Sequence, residues 1–159
     1  MKTNAMRLLD RDKIKYEVIE YDIPKEEFTG LKVAQKLNMN PKSMYKTLAL
    51  KNNHDIYICV IAVDDELDLK KCAKEIGVKN LEMIHVKDLL KEVGYQRGSV
   101  SPIGVKKNSG IYFDDEVMNH EKIEVSGGTF GVSLIIERDV LLKYLNSEVK
   151  DLVKWNMMQ

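Results

Sequence analysis

Lys46 is the first residue whose type and place could do chemistry. It opens an apolar stretch, Tyr45-Lys46-Thr47-Leu48-Ala49-Leu50. Side chains of an extended chain alternate between two faces, so Lys46 shares a face with Leu48 and Leu50 and its stem should be partly enclosed. An ammonium so placed is either a strand-end cation that snorkels to water or a charge aimed at a phosphate or a developing oxyanion. Pattern alone leaves both open. Two glycine-bearing segments could bring backbone N–H groups to such a charge. The first is Gly94-Tyr95-Gln96-Arg97-Gly98-Ser99-Val100-Ser101-Pro102-Ile103-Gly104, an irregular run between ordered elements. The second is Ser126-Gly127-Gly128-Thr129-Phe130-Gly131. Its glycines suit a tight hairpin, or the close approach of a ribose or an ester to the backbone.

Several familiar chemistries are disfavoured. No helix follows the second segment at P-loop spacing and the Walker lysine is missing. Ser99 and Ser101 have no His and Asp that spacing singles out, which argues against a serine-hydrolase triad. Cys59 and Cys72 form no CxxC pair and read as small buried hydrophobes, so neither a disulfide nor a zinc site is expected. His54, His85 and His120 are scattered without metal-ligand spacing. The run Asp114-Asp115-Glu116 reads as a solvated helix start, not as a magnesium site. No metal and no cofactor are expected.

The elements that must hold these residues follow from local signals. Thr3 can cap a helix with Ala5, Met6, Leu8 and Leu9 on one face. Residues 16–21 alternate as a strand, and Pro24 ends it. Thr29 opens a helix carrying Val33, Ala34 and Leu37, and Asn40-Pro41 starts a short helical turn. Two strands, 45–51 and 55–63, flank a hairpin loop at Asn52-Asn53-His54. The second is almost wholly apolar and belongs at the centre of a sheet. Asp64 or Asp65 should cap a helix over 66–76 that stops at Gly77. A helix over 86–93 ends before Gly94, and 110–113 reads as a strand. Residues 122–125 and 131–136 form a hairpin, and helices over 138–145 and 148–155 close the chain. Hairpins mixed with single helices give an α+β class, with a mixed, mostly antiparallel and barrel-like sheet flanked by helices. One domain over 1–159 is expected.

The bulk numbers agree. With 44% hydrophobic and 31% charged residues, the 159-residue chain can bury a core. No apolar run is long enough to span a bilayer, and the first residues carry mixed charge, so a cytoplasmic protein without membrane partners is expected. A net charge of zero, from 25 basic and 25 acidic residues, excludes a protein that coats nucleic acid by its overall field. Local recognition remains open, because Lys42, Lys46, Arg97, Lys106 and Lys107 come from loop-rich stretches.

Four blocks in order resemble the YbaK/EbsC family of the prolyl-tRNA-synthetase editing-domain superfamily. They are Tyr45-Lys46-Thr47-Leu48, Glu66-Leu67-Asp68-Leu69-Lys70-Lys71, Gly94-Tyr95 with Ser101-Pro102-Ile103-Gly104, and Val125-Ser126-Gly127-Gly128 with Gly131. Each is weak alone; their order and spacing, from the first helix to Ile136, are specific. The resemblance implies a trans-editing hydrolase that cleaves the ester between a wrong amino acid and the terminal adenosine of tRNA. Cysteine on proline tRNA is the implied substrate, with Cys-tRNA(Cys) also cleaved. Lys46 matches the family's essential lysine. Gly98 and Ser99 match its catalytic loop, whose backbone N–H groups would hold the carbonyl. Tyr21, Phe28, Thr29 and Thr47 match the pocket wall, Ser101 and Pro102 its loop. Ser126, Gly127, Gly128 and Gly131 match its rim, where Ser133 also falls.

The substrate thiol would attack its own ester, so no protein nucleophile is implied. The partners implied are the aminoacyl-tRNA 3′ end and a prolyl-tRNA synthetase. Two departures bear on which amino acid is accepted. Ser133 stands where close relatives often carry an acid, and Arg97-Gly98-Ser99-Val100 stands where the closest have a glycine pair. Three competing readings remain: a deacylase for alanine or serine, a noncatalytic module that binds tRNA or a synthetase, and a Schiff-base enzyme using Lys46. The last lacks any accompanying site for a cofactor phosphate.

Overall fold

The computed structural model describes residues 2–155. Helix α1 (Asn4–Arg11) is capped by Thr3, whose hydroxyl accepts from the Met6 N–H. Strand β1 (Glu17–Glu20) leads to α2 (Gly30–Leu37), capped in the same way by Thr29. Asn40 caps a 3-10 turn at Pro41–Ser43. Strands β2 (Tyr45–Asn52) and β3 (Asp55–Ala62) then form an antiparallel hairpin whose turn is Asn53-His54, with Asn53 left-handed. After α3 (Leu69–Ile76) come β4 (Glu82–Met83), α4 (Val86–Val93) and β5 (Gly110–Asp114). The chain continues with β6 (Lys122–Ser126), β7 (Val132–Glu137), α5 (Arg138–Tyr144) and β8 (Glu148–Lys150).

The α+β class and the mostly antiparallel pairing agree with the sequence. The barrel-like sheet takes the form of two sheets that do not close into a ring. One has the order β1-β7-β6 and the other β4-β2-β3-β5-β8, in which β3 is central. β3–β5 and β5–β8 are parallel; the other ladders are antiparallel. A single bridge, Met44 to Glu124, joins the sheets, so β2 and β6 diverge and leave a cleft.

Burial explains the patterns. Ile58 and Val60 of β3 face a core shared with Phe113, Ile123, Val125, Leu134 and Ile136, closed by Leu9 of α1 and Val93 of α4. Cys59 and Ile61 face the other way, onto Cys72 and Ala73 of α3. β3 is thus covered on both sides, which is why its sequence is nearly all apolar. Both cysteines are buried free thiols, as their sequence context suggested. No helix among the described residues is long and apolar enough to cross a membrane.

Three local expectations are corrected. The helix expected over 66–76 begins at Leu69, and its cap is Asp68, which accepts from the Lys71 N–H. Asp64 and Asp65 are instead ion-paired to Lys42, at 3.3 and 2.9 Å. Residues 148–155 form no helix; β8 adds to the edge of β5, and Leu152 is fully buried. The third concerns Asp114, which does start a 3-10 helix over Asp115–Asn119 but is 1% exposed and so is not solvated. Its two oxygens accept from the N–H groups of Leu152, at 2.9 Å, and Glu116, at 3.1 Å. Asp114 is therefore the acceptor that fixes the segment after β8. Asp114→Ala should lower stability by about 2 kcal/mol, because it strands the buried Leu152 N–H. A denaturant titration checks this; an unchanged midpoint would refute it.

Candidate functional site

The cleft between β2 and β6 holds a cavity of about 270 Å³. Its floor is the edge of β2. Met44 O accepts from Val63 N–H on the β3 side, whereas Ala49 O accepts from Ile84 N–H on the opposite side. Backbone groups alternate along a strand, so the N–H and C=O of Thr47 point away from β3. β4 pairs only with Leu50 and Lys51, and no strand among the described residues pairs with 46–48 on that edge. The backbone of Thr47 therefore faces the cavity unpaired. Its hydroxyl is buried and has no hydrogen-bond partner among the described residues.

Lys46 lines the cavity and is half-buried. No carboxylate among the described residues lies within ion-pair distance of its ammonium, in contrast to Lys42 with its two aspartates. Of the five basic residues noted in the sequence, Lys46 and Arg97 reach the cavity, and Lys107 pairs with Glu92.

The walls come from three segments. Tyr21, Phe28 and Thr29 stand on one side. Phe28 packs edge-on against Phe130 at 5.2 Å, and the Lys25 ammonium lies 4.6 Å above the Phe130 ring. Gly98 and Val100 complete the wall, with Gly98 packed beside Phe130 and Phe28. Gly98 has φ +85°, and a Cβ there would fall 2.9 Å from the Phe130 ring, so the position needs glycine twice over. Neither Gly98 nor Val100 finds an acceptor for its N–H among the described residues. Two donors without an acceptor among the described residues thus belong to the lining of the cavity.

Ser99, expected in the catalytic loop, lies behind this wall. Its N–H and its hydroxyl both donate to Gln96 O, each at 3.0 Å, and its own carbonyl accepts from Ser126 Oγ. It shapes the loop and ties it to β6. Ser101 and Pro102 are buried outside the cavity, where Ser101 Oγ accepts from Ile103 N–H and the Tyr95 hydroxyl donates to Ile103 O. Of the rim residues, Ser126 and Ser133 line the cavity; Gly127, Gly128 and Gly131 do not. Gly127 N–H closes the hairpin onto Val132 O, and Gly128 N–H donates to Ser126 Oγ. Gly131 has φ +79°, and a Cβ would sit 2.7 Å from Tyr21 O. It lets β1 lie close enough to aim Tyr21 inward.

Sequence reasoning missed Glu124. It is 5% exposed and lines the cavity beside Ser126 and Ser133. Burial pushes its carboxyl up to about 7, with the Ser133 hydroxyl pulling the other way. Burial also raises the Tyr21 phenol; Ser133 Oγ donates to it at 3.3 Å and lowers it, while the nearby Glu124 charge adds to the rise. The signal was there: Ile123 and Val125 must face the core, so Glu124 shares its face with Ser126.

Comparison with known proteins follows the same outline. The model of the aminoacyl-tRNA editing domain matches residues 26–144. An Enterococcus faecalis protein provisionally named Cys-tRNA(Pro)/Cys-tRNA(Cys) deacylase EbsC is 35% identical over 152 residues, covering 95% of this chain and 93% of that one. A proline–tRNA ligase of Shouchella clausii is 26% identical over 98 residues, covering 62% of this chain and 17% of the ligase. A solved structure provisionally named a trans-editing enzyme for prolyl tRNA synthetase superposes with a TM-score of 0.82 at 20% identity. That superposition covers 98% of this chain and 99% of the other, and it supports the fold. Because the family model takes in β2, both loops and β7, and the bacterial relative aligns almost end to end, this chain belongs to the aminoacyl-tRNA editing domain family.

Proposed function

We propose that this protein is an aminoacyl-tRNA deacylase that removes cysteine from proline tRNA. The observation that carries the reading is Lys46, a half-buried cation without a carboxylate partner among the described residues, in a cavity also lined by Gly98 and Val100, whose N–H groups have no acceptor among those residues. An ammonium in that position attracts the terminal phosphate and ribose of tRNA and so orients the ester. The two N–H groups stabilise the oxyanion that forms on the ester carbonyl. The cysteinyl thiol then attacks its own carbonyl carbon, the bond from that carbon to the ribose oxygen breaks, the thiol proton passes to the departing ribose hydroxyl, and water opens the resulting cyclic thioester to free cysteine. No side-chain nucleophile is needed. Similarity to proline–tRNA ligases supports proline tRNA as the carrier. A single domain over 1–159 performs the reaction in the cytoplasm, on tRNA released by a prolyl-tRNA synthetase.

The test is release of labelled amino acid from Cys-tRNA(Pro), Ala-tRNA(Pro) and Cys-tRNA(Cys) by the purified protein. Selective loss of cysteine supports the reading. Release of alanine keeps the reaction and moves the specificity, whereas binding without release makes the protein a recognition module.

A further inference from the structure

Lys46 and the loop at 97–100 account for one end of an aminoacyl ester, its phosphate, ribose and carbonyl. They leave Glu124 unused. Its carboxyl is the only acidic group lining the cavity among the described residues, and it faces no cation within ion-pair distance. Its surroundings are the neutral hydroxyls of Ser126, Ser133 and Tyr21, of which Ser126 already donates to Ser99 O and Ser133 to the Tyr21 oxygen. A carboxylate held in such a place is costly unless a ligand brings the missing charge. The cavity therefore presents a free cation on β2 and a free carboxyl on β6, one on each side of the cleft.

Resting on the deacylase reading above, we propose that Glu124 receives the α-ammonium of the aminoacyl group and makes a free amine a condition of binding. The ligand class has the matching charges: an anionic phosphate at the tRNA end and, on the other side of the ester, a primary ammonium. Two donors of that ammonium reach the carboxylate, and Ser133 and Tyr21 accept or donate at its flank. A peptidyl or N-acylated tRNA carries an amide there. It would bury the carboxylate against a neutral group and leave it unpaired, so it is excluded by penalty as much as by size. The site thus separates mischarged aminoacyl-tRNA from tRNA already committed to a growing chain.

The experiment uses stable probes. Cysteine joined by an amide to 3′-amino-3′-deoxyadenosine, and the same compound N-acetylated, are titrated calorimetrically into wild type, Glu124→Gln and Glu124→Asp. The expected result is a preference of wild type for the free amine of about tenfold or more, as a charge-assisted pair in a closed site gives. The preference should vanish in Glu124→Gln and return in part in Glu124→Asp. Equal binding of the two probes by wild type would overturn the proposal, as would no binding of either, or a preference kept intact in a folded Glu124→Gln. The wild-type comparison needs no variant, so misfolding of a mutant does not blunt the test. Turnover of Cys-tRNA(Pro) by wild type is followed in parallel. Absence of turnover with the preference intact would remove the deacylase reading and leave the ammonium site standing.

Discussion

Lys46→Ala should reduce deacylation by about three orders of magnitude in kcat/KM while the protein stays folded. The size follows from two losses at once. On the proposed mechanism the charge that orients the tRNA end is gone, and the field that favours the oxyanion weakens beside partly buried walls. The small structural cost follows from what Lys46 lacks: no carboxylate among the described residues depends on it, so its removal orphans no charge. Lys46→Arg should recover little. A planar guanidinium is wider than an ammonium, and its donors are fixed in a fork that the edge of β2 does not match. Single-turnover rates and a thermal melt of each variant check the prediction. Near-normal rates in Lys46→Ala would remove the residue from the site.

The second large effect runs the opposite way. Glu124→Gln should stabilise the protein by about 3 kcal/mol at pH 8, because a rise in pKa from 4.5 to about 7 is worth that much. The folded state holds the carboxyl's proton more tightly than the unfolded state does. The stabilisation this gives is complete below pH 4.5 and is lost as pH rises through about 7. Glutamine does not titrate, so the advantage of the variant should be near zero at pH 4 and reach its full value above pH 7. The other charged or titratable groups lining the cavity are Tyr21, Tyr45, Lys46 and Arg97, and burial pushes the two phenols up, away from this range. Denaturant midpoints of both proteins at pH 4, 6 and 8 decide it. A constant difference across that range would show that the carboxyl is not buried as described. A residue that costs stability and lines a candidate site fits the common trade of stability for function.

Much of this was legible where the cause is local. Thr3, Thr29 and Asn40 cap as their spacing predicts, and Gly77 and Gly94 end their helices in the left-handed conformation. β3 had to be central because its run from Ile58 to Ala62 is wholly apolar and buried. The misreadings have distant causes. Asp64 and Asp65 would cap a helix were Lys42, more than twenty residues earlier, not holding both. The segment after Ser147 is too short for its apolar spacing to separate helix from strand. Asp114 and the edge of β5 decide it, and neither is near in sequence. Most of the pocket was legible through resemblance: Tyr21, Phe28, Thr29, Lys46, Thr47, Gly98, Ser126 and Ser133 do meet at one cavity. Glu124 was not, because it lies one position before the matching block that begins at Val125.

The unpaired stretch of β2 has a bearing on how the protein avoids itself. A bare strand edge invites a strand from another molecule, and repetition of that pairing builds aggregates. Here the bare length is about three residues, between the bridge at Met44 and the ladder that starts at Leu50. The walls formed by Phe28 and Thr29 and by Arg97 and Gly98 rise around it. A polypeptide strand needs a longer run to register, and it would have to bring its backbone past both walls. Lys46 adds a charge at the point where such a strand would begin. Backbone donors are thus kept open to a short ester and shut to a neighbouring chain.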